Sequence, residues 1–203
     1  VSSLKNNPQI DLMNILNFES SYPLIKIDDD YYNSFIPKLS FRINPTDMKN
    51  YKNEDRKINT SNIFSINRLG LDDTFEEGKS LTLGFDYKKE SLKDINKFFE
   101  FKLASVLRDT DEKFIPTSST LGQKSSNIFG TTHSNFSRFL NLNYNFALDN
   151  NLETFEYNSI GLNFNFEKIT TNFDFIEENG KMGDSNALEN TTTFNFDNDN
   201  YLS

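Results

Sequence analysis

Residues 140–148 read "LNLNYNFAL". Leu140, Leu142, Tyr144, Phe146 and Leu148 fall on every second position, and Asn141, Asn143, Asn145 and Ala147 fill the gaps. Successive side chains of a strand point to opposite faces, so this alternation describes one apolar and one polar surface. Asn is a poor strand former, so its strict phase calls for an explanation beyond the Asn-rich composition.

The same period recurs along the chain. In "PKLSFRIN", Leu39, Phe41 and Ile43 oppose Lys38, Ser40, Arg42 and Asn44; in "SLTLGFDYKK", Leu81, Leu83, Phe85 and Tyr87 oppose Ser80, Thr82, Gly84, Asp86 and Lys88. In "FFEFKLASVLR", Phe99, Phe101, Leu103 and Leu107 oppose Glu100, Lys102, Ala104 and Arg108, with Phe98 and Val106 breaking the polar phase. "IGLNFNFE", "ITTNFDF" and "TTTFNFD" repeat the pattern, and "IDLMNILNF" at the start is a noisier strand. Only 88–99, "KKESLKDINKFF", partly fits helical spacing, and its polarity makes it a turn between strands.

The expected fold class is therefore all-β and antiparallel, with nine or ten strands. Long polar connections are expected at about 45–78, 109–125 and 178–188, and short ones at about 90–96, 134–137, 149–153 and 167–168. With a short strand at 126–133, the long connections all fall at one end of the sheet, as in outer-membrane barrels. Long strands and amide or charged residues in the polar phase favour such a barrel; a soluble β-sandwich alternates too, with its apolar face turned to a core, and stays open on the pattern alone.

Composition narrows the function classes. The 203 residues carry 21 Phe, no Trp and a net charge of -9, which disfavours nucleic acid and anionic surfaces as electrostatic partners. Mean hydropathy is -0.63, and no apolar run reaches the ~20 residues of a spanning helix. No Cys and one His leave no thiol chemistry and little acid–base chemistry. His133 lies near a strand end with no nucleophile elbow in the chain, so it reads as structural. No Gly-rich phosphate loop is present, and no catalytic residue, metal site or cofactor is expected.

The acidic groups at 28–30, 72–73 and 76–77 lack the spacing of a calcium loop and read as solvated, with divalent-cation binding the sharper alternative. Arg68 in "NRLGLDD" is expected to shape its loop by pairing with Asp72 or Asp73, an exposed pair worth about 0–1 kcal/mol. Arg42, Asp86, Lys102, Asn141, Asn143 and Asn145 are the lumen-facing candidates; Leu81, Leu83, Phe85, Leu140, Leu142, Tyr144 and Phe146 are the lipid-facing ones.

Several collinear segments carry a family resemblance: "SSYPLIK" (20–26), "FIPKLSFRINPTD" (35–47), "NIFSINRLGLDD" (62–73) and "EEGKSLTLGFDYKK" (76–89), continued by "FFEFKLASVLRD", "IPTSSTLGQKSSNIFG" and "LNLNYNFALDNN". Together they resemble the lipopolysaccharide-assembly outer-membrane protein family LptD, also called OstA or Imp, from about residue 10 to 180. The resemblance implies a transport and assembly role without enzymatic chemistry, in the outer membrane of a Gram-negative bacterium. It implies lipopolysaccharide, outer-membrane lipid, a plug lipoprotein of the LptE type and periplasmic bridge proteins as partners. Residues 1–203 would then form part of a larger barrel, without the family's N-terminal jellyroll; no signal peptide opens the chain and "DNDNYLS" looks like an interrupted strand. The disulfides known in some members cannot involve this Cys-free segment. A porin- or receptor-type barrel and a soluble surface β-sandwich that binds carbohydrate or protein remain the alternatives.

Overall fold

The computed structural model describes residues 13–180, 183–197 and 200–202. Eleven strands form one antiparallel sheet. They are β1 (Leu16–Ser21), β2 (Leu24–Ile27), β3 (Tyr31–Asn44), β4 (Gly78–Ser91), β5 (Phe98–Arg108), β6 (Ile128–Ser137), β7 (Leu140–Leu148), β8 (Phe155–Asn165), β9 (Ile169–Gly180), β10 (Gly183–Asp197) and β11 (Asn200–Leu202). From β3 to β11 each strand pairs with the next in the chain. β1 and β2 both pair with β3 in one continuous register, Ser21 opposite Lys38 and Leu24 opposite Phe35, so they act as one strand interrupted at Tyr22–Pro23. Pro23 has no N–H to give a ladder, which accounts for the break. Among the described residues β1 and β11 stand at opposite edges and do not pair with each other; the sheet is open.

The alternation decides the two faces. The register places Arg42 beside Ser80, Asp86 beside Lys102, Lys102 beside Thr131, and Thr131 beside Asn145. All six polar candidates therefore share one face, and Leu81, Leu83, Phe85, Leu140, Leu142, Tyr144 and Phe146 share the other. His133 lies on the polar face, edge-on to Phe98 at 4.9 Å and 3.2 Å from the Asn141 amide.

The core is on the polar face. Met48, Ile58, Ile63, Leu69 and Leu71 from the connection 45–77, with Ile115 and Leu121 from 109–127, pack against Ala104, Val106, Phe129 and Ala147 of the sheet. Val106, which breaks the polar alternation in the sequence, does so because the connections cover it completely. The apolar face keeps its large side chains open: Phe41, Leu83, Leu107 and Phe173 are each about 40% exposed (41%, 42%, 43% and 40%).

Three expected boundaries are corrected. Residues 178–188 are not a long connection: Glu178, Asn179 and Gly180 pair with Ser185, Asp184 and Gly183 in a tight hairpin. The short strand at 126–133 runs instead to Ser137, which moves the 134–137 turn to 138–139. The 88–99 segment is a turn confined to 92–97, and both long connections lie at the same end of the sheet. Of the outermost strand expectations, residues 10–12 of "IDLMNILNF" and residues 198, 199 and 203 of "DNDNYLS" lie outside the described residues.

Candidate functional site

The two long connections fold back over the polar face, and a buried ion cluster fixes their base. Glu76, immediately before β4, is surrounded by three guanidinium groups: Arg42 near the end of β3, Arg108 at the end of β5, and Arg68 from the connection itself. Their side chains are 4%, 1% and 1% exposed, and Glu76 is 2% exposed. Arg68 Nε donates to Glu76 Oε2 at 2.6 Å while its Nη2 donates to Oε1, a bidentate fork. Arg42 Nη1 reaches Oε2 at 3.1 Å, and Arg108 pairs with Oε1.

Three cations against one anion leave the cluster with a net charge of +2. Neutral acceptors take up several of the remaining N–H groups. Arg68 Nη1 donates to Thr82 Oγ1 at 2.9 Å and its Nη2 to Ser80 Oγ at 3.1 Å. Arg42 Nη2 donates to the Ser65 carbonyl and Arg108 Nη1 to the Glu77 carbonyl. Arg42 Nε and Arg108 Nη2 are buried with no hydrogen-bond partner among the described residues, the second of them in ion-pair contact with Glu76. Burial pulls the Arg68 guanidinium down to about 9, which still leaves it charged at neutral pH.

This geometry corrects the expectation for Arg68. Its partner is Glu76, not Asp72 or Asp73, and the pair is buried. Asp73 instead binds Lys49 at 2.8 Å and the Tyr51 hydroxyl. These contacts hold the Asp73 carboxyl below its ordinary value, while the bond to Asp73 raises Tyr51. Asp72 is exposed. Glu76 is also withdrawn from any cation-binding role by its three arginines. Among the described residues no three His, Cys, Asp or Glu side chains gather closely enough to hold a metal.

Glu77 behaves in the opposite way to its neighbour. Its Oε2 accepts the Met48 N–H at 2.7 Å, and its carboxyl lies above the ordinary range, chiefly because burial disfavours the charged form. The folded state therefore holds this proton to a higher pH than the unfolded chain. The stability it contributes is complete below the ordinary carboxyl value and is lost as pH rises through the raised one. Glu77→Gln keeps the acceptor and removes the titration. Its stability relative to the parent is expected to improve as pH rises from about 4 to about 8, measured by urea unfolding of the full chain; a constant difference across that range contradicts this account.

Beyond the cluster the connections brace each other. The Tyr51 N–H donates to the Phe114 carbonyl at 3.0 Å, and the Arg56 N–H donates to Ser118 Oγ at 2.9 Å. Phe64 lies on the sheet over Gly84, where an added Cβ would meet the Leu103 carbonyl at 2.6 Å and the Phe64 ring at 3.0 Å. Glycine there lets the aromatic ring approach the backbone. Farther along, the connection reaches across the sheet: Thr60 and Thr131 hydroxyls are 2.7 Å apart, and Lys57 pairs with Glu178 of β9.

The polar candidates thus divide. Arg42 lies in the ion cluster, Lys38 pairs with Asp86, Lys102 and Asn145 line the space under the 57–61 segment, and Asn141 and Asn143 stand clear of the connections near the short-turn end. Sequence reasoning missed Glu76 and Arg108. Of five arginines in a Lys-rich chain, three meet at this point; the scarcity of arginine was the available signal, since only its planar fork binds a carboxylate bidentately.

The family model for LptD, LPS transport system D, matches residues 7–200. A search of curated proteins gives no match. The match covers nearly the whole chain, so this chain belongs to the LptD family of lipopolysaccharide transport proteins.

Proposed function

We propose that this sheet is a stretch of the wall of an outer-membrane β-barrel that inserts lipopolysaccharide into the outer leaflet. Its apolar face meets lipid, its polar face meets the lumen, and the two long connections form a plug inside. Family membership supports a transport role in the Gram-negative outer membrane, and no helix among the described residues is long and apolar enough to cross a membrane. The family is one of transport and assembly rather than enzymes.

One observation carries the membrane reading. The outward apolar belt is centred on Leu39 in β3 and on Phe173 in β9. The rung through Phe173 runs by Leu162, Leu142, Ser134, Phe99 and Lys89 to Asn33, six residues from Leu39. At about 3.4 Å per residue and about 4.8 Å between strands, this offset over six inter-strand steps slopes the belt by about 35° to the rungs. Strands in transmembrane barrels tilt by that much, and a flat bilayer crossing tilted strands leaves such a slanted band. A sandwich core would bury that face; here it is open while the polar face is covered.

By this reading the lipid-facing set is Leu81, Leu83, Phe85, Leu140, Leu142, Tyr144 and Phe146, and the lumen-facing set is Arg42, Asp86, Lys102, Asn141, Asn143 and Asn145. Plug lipoprotein and bridge proteins are partners that the family reading supplies. By this reading the bridge proteins supply the energy for transport. The test is a pair of spin labels at 142 and 143 in the reconstituted full chain. Label 142 is expected to be quenched by a lipid-soluble reagent and label 143 by an aqueous one; equal accessibility to both removes the membrane assignment.

A further inference from the structure

On the apolar face, toward the short-turn end of the sheet, Lys26 of β2, Asn33 of β3 and Lys89 of β4 stand side by side on one rung. We propose that they bind the phosphate of an anionic phospholipid in the leaflet that meets this end. The proposal rests on the membrane reading above and names the lipid that one point of the apolar face selects.

The three side chains offer donors to an anion. Lys89 Nζ lies 4.1 Å from the centre of the Tyr31 ring and has no carboxylate partner among the described residues. The Tyr87 hydroxyl donates to Asn33 Oδ1 at 3.3 Å, which leaves the Asn33 N–H₂ to donate outward. Lys26 Nζ meets Asp28 at 3.1 Å, and both side chains of that pair are exposed. Neighbouring lysines are already engaged: Lys88 with Glu90 and Glu100, Lys93 with Asp30. Lys26 and Lys89 against Asp28 leave a local charge of +1, opposite in sign to the chain's -9. The two lysines are two inter-strand steps apart, about 10 Å, which leaves room for one phosphate above Asn33.

Depth and charge select the lipid. Asn33 is six residues from Leu39, where the belt is centred in β3. At about 3.4 Å per residue and a tilt of about 35°, the rung lies about 17 Å from the middle of the belt, just beyond the ~15 Å half-thickness of the hydrocarbon. That is headgroup level. Short turns of outer-membrane barrels face the periplasm, so the leaflet met there is the inner one. A phosphodiester supplies one negative charge and acceptor oxygens. Phosphatidylglycerol adds hydroxyls to it, whereas the ammonium of phosphatidylethanolamine cancels its charge and meets two like charges.

The test is native mass spectrometry of the full chain released from detergent micelles holding equal amounts of phosphatidylglycerol and phosphatidylethanolamine. Retained phosphatidylglycerol is expected to exceed phosphatidylethanolamine about fivefold or more, the effect of one lysine near an anionic headgroup. Lys26→Gln with Lys89→Gln is expected to abolish the preference, while Lys26→Arg with Lys89→Arg keeps it and Lys93→Gln leaves it unchanged. The arginine pair separates loss of the site from loss of the fold. Equal retention of the two lipids by the parent, an unchanged preference in the glutamine pair, or an equal loss in Lys93→Gln overturns the proposal. So does lipid A, added in a second series, if it displaces phosphatidylglycerol from these lysines. A lipid-quenched label at 142 together with equal retention discards this site and leaves the membrane reading standing.

Discussion

Glu76→Gln is expected to cost about 3–5 kcal/mol, the range for stranding buried charges by removing one partner. The substitution keeps the size of the side chain and deletes its charge. Arg42, Arg68 and Arg108 would then stand together in a site where each side chain is under 5% exposed, with no anion between them. Their carbonyl and hydroxyl partners satisfy N–H groups and do not offset charge. The base of the plug should detach from the sheet, exposing Ile63 and Leu69. Urea unfolding and protease cleavage within 45–77 measure both effects. Glu76→Asp, which keeps the charge on a shorter stem, should recover part of the loss. Replacing Arg68 by Met in the Glu76→Gln background removes one stranded cation and should be less damaging than Glu76→Gln alone. Near-parental stability of Glu76→Gln would show that the cluster does not hold the plug.

The second large effect belongs to the outer face. Leu83 lies between Leu39 and Ser105 in the apolar belt and is 42% exposed. Leu83→Arg is expected to cost about 2–4 kcal/mol in a bilayer, the penalty for a cation on the lipid face near the midplane. Asn143→Arg, on the opposite face and exposed, is expected to be tolerated within about 0.5 kcal/mol. Folding yield into vesicles, compared with yield in water, reads the difference. Equal tolerance of both changes would return the sheet to the sandwich class.

The strands with a consistent apolar phase were legible in the sequence because burial or lipid on one side imposes period two. β10 was not, because its upper half is mostly polar on both faces: Asp184, Asn186 and Asn190 with Leu188 alone on one side, Ser185, Glu189 and Thr191 with Ala187 alone on the other. One large apolar residue sets no period to read, so residues 178–188 look like a loop, and backbone pairing rather than an apolar phase makes them strand. Phe98 and Val106 looked like errors in the polar phase; Val106 marks where the plug sits. Arg68 was assigned the nearest acids along the chain, Asp72 and Asp73. The return of the connection to the sheet brings Glu76 to it instead, and sequence distance carries no information about that return. The polar face itself was expected to be wet, and much of it is covered by the chain's own connections.

The neighbour-to-neighbour order of the sheet also sets how the chain can assemble. From β3 onward every strand finds its partner in the segment just made, so growth can run hairpin by hairpin with little loop entropy to overcome. The exceptions are the 45–77 and 109–127 connections, which must collapse as their flanking strands join. Arg42 arrives with β3, Arg68 and Glu76 with the first connection, and Arg108 only with the end of β5. The ion cluster therefore closes when the third strand docks, and β3 to β5 with its enclosed connection is the smallest unit that completes it. Assembly should nucleate there and spread toward β10, with the strands of lowest apolar content joining a template already formed.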